Sequence, residues 1–408
     1  MKCRFCKTIL KDVFMDLGNA PASNSFLTPA QLNEPEVFFP LKVYTCHKCF
    51  LVQVDEYKKS DTIFDGTYVY FSSYSKSWLA HSKRYADMMT DRFGYGRNSQ
   101  VIEVASNDGY LLQYFNEKGI NVLGIEPAAN TAEAAKQKGI KSVVDFFGER
   151  LAKNLVSEGM GADLLIGNNV LAHVPDIIDF LKGAKTILKK DGVITFEFPH
   201  LMQLVEQNQF DTIYHEHFSY LSFTTVQKIF QSLGLDLFDV EELPTHGGSL
   251  RIFGKHADDK TKPISKNVIV MVKKEKDKGM RTRAYYAHLQ ERALAVKLEM
   301  LEFLTKQKHA NKKVAAWGAA AKGNTLLNYC GIKSDLIEYV VDDSPHKQNK
   351  LLPGSHIPVV NEAYLKIHKP DYVIVLPWNL KNDMMAQLSY IKKWKGKFVV
   401  PIPSLKVI

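Results

Sequence analysis

Residues Ser99 to Glu126 read SQVIEVASNDGYLLQYFNEKGINVLGIE, and this stretch decides the fold. Ser99 to Ala105 is an apolar run of strand length, Ser106-Asn107-Asp108-Gly109 supplies a tight turn, and Tyr110 to Lys118 reads as a helix before a second strand over Val122 to Ile125. Repetition of this unit builds a parallel sheet covered by helices. Ligands of such sheets bind at the carboxyl ends of the strands, where Glu103, Ser106, Asn107, Asp108 and Glu126 fall.

The turn lacks the full G-x-G-x-x-G of a dinucleotide fold and holds one glycine among acidic and amide neighbours. Asp108 would repel a pyrophosphate and tolerate a cationic, phosphate-free cofactor. Glu126 ends the second strand, where a carboxylate can accept both hydroxyls of a ribose. Asp145-Phe146-Phe147 offers a polar group and an aromatic wall for an adenine, and Asn168-Asn169 ends the fourth strand. Taken singly, Asp108 could be a helix cap, Phe147 core and Glu126 a solvated turn residue. In strand order, together, they match S-adenosylmethionine better than a nicotinamide.

Toward the N-terminus, four of the five cysteines form two identical pairs, Cys3-x2-Cys6 and Cys46-x2-Cys49. The opening MKCRFCKTIL has no apolar export signal, so the pairs are expected to hold zinc rather than disulfides, in a cytoplasmic protein. Four thiolates leave no position for a reacting water, which makes the ion structural. The loop between the pairs carries Pro21, Pro29, Pro35 and Pro40, so the module depends on its metal for folding. Cys330 stands alone and reads as a buried small hydrophobe.

Toward the C-terminus, after a charged helical stretch over Gly279 to Lys308, the alternation restarts. Lys313 to Trp317 reads as a strand, Gly318 to Asn324 as a glycine-containing turn and Thr325 to Tyr329 as the opening of a helix, with further strands at 336–341, 372–376 and 398–400. This turn has Lys322 and no acid, which suits a phosphate at the helix N-terminus. Asn324 replaces the lysine of a P-loop, so ATP hydrolysis is not expected.

Several side chains between these units could carry chemistry. In Tyr214-His215-Glu216-His217 the histidines are two apart, which argues against a shared metal and for a base tuned by its neighbours, packed loop histidines being the plainer alternative. His173 follows the fourth strand and faces the same crevice. Tyr68 and Tyr70 fall on one side of an extended segment, lining a site or simply packing. His246-Gly247-Gly248-Ser249-Leu250-Arg251 offers glycines for close approach and an arginine for phosphate, or a plain hairpin.

At 408 residues the chain is long enough for two or three cored domains. Its 45% hydrophobic and 24% charged content excludes disordered and fibrous classes, and no apolar stretch approaches the roughly 18 to 20 uncharged residues needed to cross a bilayer. Fifty-three basic against 44 acidic residues leave a net charge of +9, favouring an anionic partner, although much of the excess sits in Lys266 to Arg283 and Lys306 to Lys313 as solvated helix or linker. No basic-aromatic strand motif points to nucleic acid.

Read in order, the two cysteine pairs, Glu103-Val-Ala-Ser-Asn-Asp-Gly109, Asn168-Asn-Val-Leu-Ala-His173-Val-Pro, Tyr214-His-Glu-His217, His246-Gly-Gly-Ser-Leu-Arg251 and Gly318-Ala-Ala-Ala-Lys-Gly-Asn324 resemble the nucleotide-sugar C-methyltransferases over essentially the whole chain. The resemblance implies an α/β fold of three parts: an N-terminal zinc-binding module (1–66), a Rossmann-like class I methyltransferase core (67–255) and a C-terminal Rossmann-like α/β domain with a helical linker (256–408). It implies S-adenosylmethionine on the core and a dTDP- or GDP-linked 4-keto sugar between core and C-terminal domain, with no nucleic-acid or membrane partner and the oligomeric state open, a monomer included. By motif, His217 matches the base, Glu216 and Tyr214 its neighbours, and His173 the histidine of the methyltransferase loop. Tyr68 matches the active-site tyrosine, with Tyr70 two residues on. Tyr70, Ser249, Arg251, Lys322 and Asn324 are then expected to bind substrate, the rivals being O- or N-methylation of the same kind of sugar and a zinc-containing RNA-binding or RNA-modifying protein.

Overall fold

The quoted stretch stands at the centre of a seven-stranded sheet in the computed structural model, which describes residues 1–57 and 70–408. Gln100–Val104 is almost wholly buried and pairs in parallel with Asn121–Ile125 on one side and Ala162–Asn168 on the other. Ser142–Val143 extends the first flank. Leu188–Pro199 extends the second, followed by Ser249–His256 and Leu235–Leu243 as an antiparallel hairpin. The order in which strands are added therefore switches sides at Gln100–Val104, and that switch leaves a crevice at the carboxyl ends of the strands.

The turn that opens the crevice is tight. Ala105, Asn107 and Gly109 all have positive φ, Gly109 at +74°. Gly124 on the neighbouring strand must lack a side chain, because a Cβ there would collide with Ser106 Oγ. The following helix is Leu112–Asn116, shorter than the expected Tyr110 to Lys118, because Tyr110 and Leu111 still belong to the turn and Gly119 reverses the chain.

Apolar side chains fill both faces of the sheet. Phe180, Phe196 and Phe230 pack on one, and Tyr85 and Phe115 cover Val101 and Leu164 on the other. Each fully buried aromatic or aliphatic side chain contributes about 1.5–3 kcal/mol. Helix Lys76–Phe93 begins where Ser75 Oγ accepts from Trp78 N and ends at Gly94, whose φ is 68°. It buries Trp78, Ser82, Tyr85, Ala86 and Met89, the three- and four-residue spacing of one helical face.

The C-terminal sheet has six strands in the order Val359–Val360, Val340–Val341, Val314–Trp317, Tyr372–Val375, Lys397–Val400 and Lys406–Val407, parallel except for the last. Here two expectations need correction. Helix Ala321–Cys330 begins at Ala321 rather than Thr325, because Gly318 at φ +89° makes the turn alone and alanines start the helix. Lys322 and Asn324 thus lie in its first turn, not in a loop. The strand expected over 336–341 shrinks to Val340–Val341. Cys330 is buried as expected.

The N-terminal sheet pairs Asp12–Ala20, Phe39–Thr45 and Val52–Val54 antiparallel, and Ser219–Tyr220 completes it from the other end of the core. Leu27 and Leu351 exchange backbone hydrogen bonds, and Glu36 accepts from Gly354 N and pairs with His356. Among the described residues no helix is long and apolar enough to cross a membrane.

Candidate active site

The four cysteines come together at the base of the N-terminal sheet. Each pair sits on a knuckle closed by a backbone bond, Lys7 N to Cys3 O at 3.0 Å and Phe50 N to Cys46 O at 2.8 Å. Sγ atoms of Cys3 and Cys49, Cys6 and Cys46, and Cys6 and Cys49 are 3.5, 3.5 and 3.6 Å apart. A tetrahedron with Zn–S bonds of about 2.3 Å has S–S edges of about 3.8 Å. Gln53 Nε2 donates to Cys3 Sγ, as a thiolate requires. The donor set fits zinc with no open position.

A cavity of about 1390 Å³ opens at the carboxyl ends of the central strands and is lined from all three sheets' surroundings, with Asn24, Asn168 and Lys322 on different walls. Glu126 lies on its floor and accepts from Asn107 N and Ala128 N, each at 2.9 Å and each through a different oxygen. Burial pushes its carboxyl up, and these two amides oppose the shift. The Thr131 hydroxyl also lowers it, and the carboxylate still borders the cavity, where a ribose hydroxyl could donate to it. Asp145, Phe146 and Phe147 form one wall, with Phe147 edge-on to Phe180 at 5.3 Å. Asn169 Oδ1, facing the same space, has no hydrogen-bond partner among the described residues. This set of acceptors and aromatic surface fits S-adenosylmethionine.

Other expected cofactor residues stand behind that surface. Glu103, Ser106, Asp108 and Gly109 do not line the cavity. Glu103 is completely buried, its carboxyl pushed well up by burial beside the Tyr110 hydroxyl. Asp108 pairs with Lys138 at 3.0 Å. Asn107 accepts from Ser72 N at 2.9 Å and donates to Tyr70 O at 3.1 Å, which ties Tyr70 and Ser72 across the turn, both at the cavity wall. Tyr68 lies outside the described residues.

Opposite the cofactor floor, His217 Nδ1 lies 3.0 Å from Thr212 O and Nε2 lies 2.7 Å from the Tyr214 hydroxyl. A carbonyl only accepts, so Nδ1 carries the proton and the Nε2 lone pair accepts from Tyr214. Burial holds the ring well below the usual histidine range, and His173 adds to the effect. The His173 ring packs on His217 with centroids 4.6 Å apart and is held down to about 4 by burial. Both are neutral imidazoles at pH 7. Glu216 was expected to steady the His217 ring, but both ring nitrogens are already engaged. Its carboxylate instead accepts from Asn24 Nδ2 at 2.6 Å and Asn24 N at 3.3 Å.

The expected substrate residues separate into two sets. Tyr70, Arg251 and Lys322 line the cavity, whereas Ser249 and Asn324 do not. Ser249 donates to Thr245 O, and Asn324 Nδ2 donates to Ser23 O at 2.6 Å. Arg251 is held by Glu197 at 3.0 Å and Glu241 at 2.9 Å, so its charge is already paired. Lys322 donates to Asn379 Oδ1 at 2.7 Å and lies over the Trp378 ring. Burial lowers its pKa, opposed by Asp211, whose own carboxyl burial pushes up to about 6. Among the wall residues that the sequence reading gave no role are His246, quoted there only as part of its motif, Trp78 and His81. His246, at φ 53°, accepts from Asn169 Nδ2 at 3.0 Å, and Trp78 and His81 approach it from helix Lys76–Phe93. The hairpin reading of 246–251 describes its backbone, and the left-handed turn is what aims His246 inward.

This arrangement of neutral imidazoles facing a ribose- and adenine-compatible floor is that of a methyl-transferring enzyme, and comparison with known proteins agrees. Family models match a zinc binding domain over 3–64, a methyltransferase domain over 78–240 and a C-methyltransferase C-terminal domain over 244–403. The C-methyltransferase NovU of Streptomyces niveus is 32% identical over 412 aligned residues, covering 100% of this chain and 96% of that protein. A ubiquinone biosynthesis O-methyltransferase of Rhodopseudomonas palustris (strain BisA53) is 28% identical over 101 residues, 23% of this chain and 38% of its own. Magnesium protoporphyrin IX methyltransferase of Synechocystis PCC 6803, solved with bound S-adenosylmethionine, superposes with a TM-score of 0.33 at 14% identity over 43% of this chain and 78% of that one. The chain belongs to the C-methyltransferase family. Its methyl donor is S-adenosylmethionine, and its cysteine cluster is the family's zinc centre.

Proposed function

We propose that the protein methylates carbon 3 of a nucleotide-linked 4-keto sugar, with His217 as the base. The observation that carries this reading is the tautomer of His217: Thr212 O fixes the proton on Nδ1, and the basic Nε2 is turned toward Tyr214 inside the cavity. A sugar carbon is no nucleophile, but one beside a ketone can lose a proton and become an enolate. His217 Nε2 takes that proton. The Tyr214 hydroxyl, released from Nε2, donates to the enolate oxygen together with the Tyr68 and His173 groups, a contribution of about 3 kcal/mol per donor. When bound, S-adenosylmethionine supplies an electrophilic methyl. Glu126 holds its ribose, Phe146 and Phe147 flank its adenine, and Asn168 and Asn169 border its other end. The nucleotide lies toward the C-terminal domain, where Lys322, in no ion pair among the described residues, offers a positive charge, whereas that of Arg251 is already paired.

The test is to incubate the enzyme with methyl-labelled S-adenosylmethionine and a panel of dTDP- and GDP-linked 4-keto sugars and to locate the label by NMR. A new methyl on carbon 3 is expected. A methyl on oxygen or nitrogen would replace the enolate mechanism.

A further inference from the structure

The mechanism leaves one strong contact unused, and it comes from the far end of the chain. Asn24, in the proline-rich loop of the zinc module, donates twice to the Glu216 carboxylate, through Nδ2 to one oxygen and through its backbone amide to the other. Glu216 is 2% exposed, and both residues line the cavity. The loop is itself anchored on the C-terminal domain: Asn324 donates to Ser23 O at 2.6 Å, and Leu27 and Leu351 exchange backbone bonds at 3.0 and 2.8 Å. A loop held on one side by the C-terminal domain thus grips, on the other, the residue between His215 and His217.

We propose that Asn24 is a positioning residue, which clamps the Glu216 carboxylate in its ionised form and so makes the zinc module part of the active site. An amide that donates to a carboxylate favours the charged form and fixes its direction. The titratable groups that line the cavity with Glu216 include His81, Glu126, His173, Tyr214, His217, His246 and Arg251 on the core side, Glu56 on the module side and Lys322, Lys347 and Asp383 on the C-terminal side. The consequence for turnover rests on the proposed role of the Tyr214 to His217 loop, but the clamp itself does not.

The experiment separates the two. Glutamate labelled with carbon-13 at the carboxyl is titrated by NMR in the intact zinc-loaded protein without substrate, the Glu216 signal being identified by its loss in Glu216→Gln. Losing a hydrogen bond to a charged group is expected to raise the Glu216 midpoint by about one to two pH units in Asn24→Ala. Asn24→Asp, which keeps the shape and adds a second carboxylate, is expected to raise it further. With the dTDP-linked 4-keto sugar as probe, kcat of Asn24→Ala is expected to fall about ten- to a hundredfold, with KM for S-adenosylmethionine within threefold of wild type. A Glu216 midpoint unchanged in both Asn24 variants overturns the clamp. A shifted midpoint with unchanged kcat upholds the clamp and overturns the role of Glu216 in turnover.

Discussion

The central and C-terminal sheets both begin with a strand, a turn with a left-handed glycine and a helix, and both put an acid at the end of the next strand, Glu126 in one and Asp342 in the other. Their fates differ. Glu126 takes two backbone amides and still faces the cavity. Asp342 accepts from Ala319 N at 2.8 Å and Ser344 N at 2.9 Å, meets Lys347 at 3.4 Å, and does not line the cavity. One acid therefore faces the cavity and the other braces its own turn. The same supersecondary unit serves as cradle in one place and as scaffold in the other, and what decides is whether a neighbouring lysine and loop close over the carboxylate.

The largest expected effect belongs to the cradle side. His217→Ala should lower kcat by about a hundred- to ten-thousandfold, the range of a general base, while calorimetry finds S-adenosylmethionine binding intact. Near wild-type methylation by this variant would move the base to His173. Next comes the direct contrast of the two acids. Glu126→Ala should weaken S-adenosylmethionine by about 10 to 100-fold, the loss of charge-assisted hydrogen bonds worth about 1.5–3 kcal/mol. Asp342→Ala should leave that affinity within twofold and instead lower unfolding stability by about 1–3 kcal/mol, because two backbone donors lose their acceptor. Equal losses of affinity in both variants would erase the distinction.

The smallest effect is a difference in acid stability. His173 and His246, held down to about 4 from an ordinary 6.5, bind protons less readily folded than unfolded. The stability they lend is complete above pH 6.5 and is lost as the pH falls through about 4, at most roughly 3 kcal/mol each. Asp211 works the other way: raised from 3.8 to about 6, it stabilises fully below pH 3.8 and loses that contribution as the pH rises through 6. Urea unfolding at pH 4.5 and 7 should show a smaller acid loss for His173→Asn than for wild type. Asp211→Asn should gain stability at pH 7, where the wild-type carboxylate is buried and charged.

What could be read from the chain was what recurs at short range. Strand periodicity around Gln100–Val104 put Glu126, Asn168 and the crevice in place, and cysteine spacing announced the metal centre. The misplacement of Lys322 and Asn324 has a local cause, since a run of alanines after Gly318 reads equally as loop or as helix. The remaining errors are nonlocal. Nothing near Glu216 in sequence points to Asn24, which lies 192 positions away, and nothing near Arg251 reveals that Glu197 and Glu241 already hold it. Trp78 and His81 meet His246 only because a helix and a hairpin converge, so the motif at 246–251 marks His246 but not its neighbours.

The strand Ser219–Tyr220, which completes the N-terminal sheet, also dictates an order of assembly. During synthesis the cysteine pairs emerge before the core and can capture their metal early, yet the edge at Val52–Val54 stays open until residue 220 has left the ribosome. The Ser23 to Asn324 contact closes a loop of 301 positions and must wait longer still. Contacts of such sequence separation make folding slow and leave an unpaired strand edge exposed meanwhile. A segment made before the core is therefore finished after it, and a fragment ending before Ser219 would carry a bare edge rather than a self-sufficient domain.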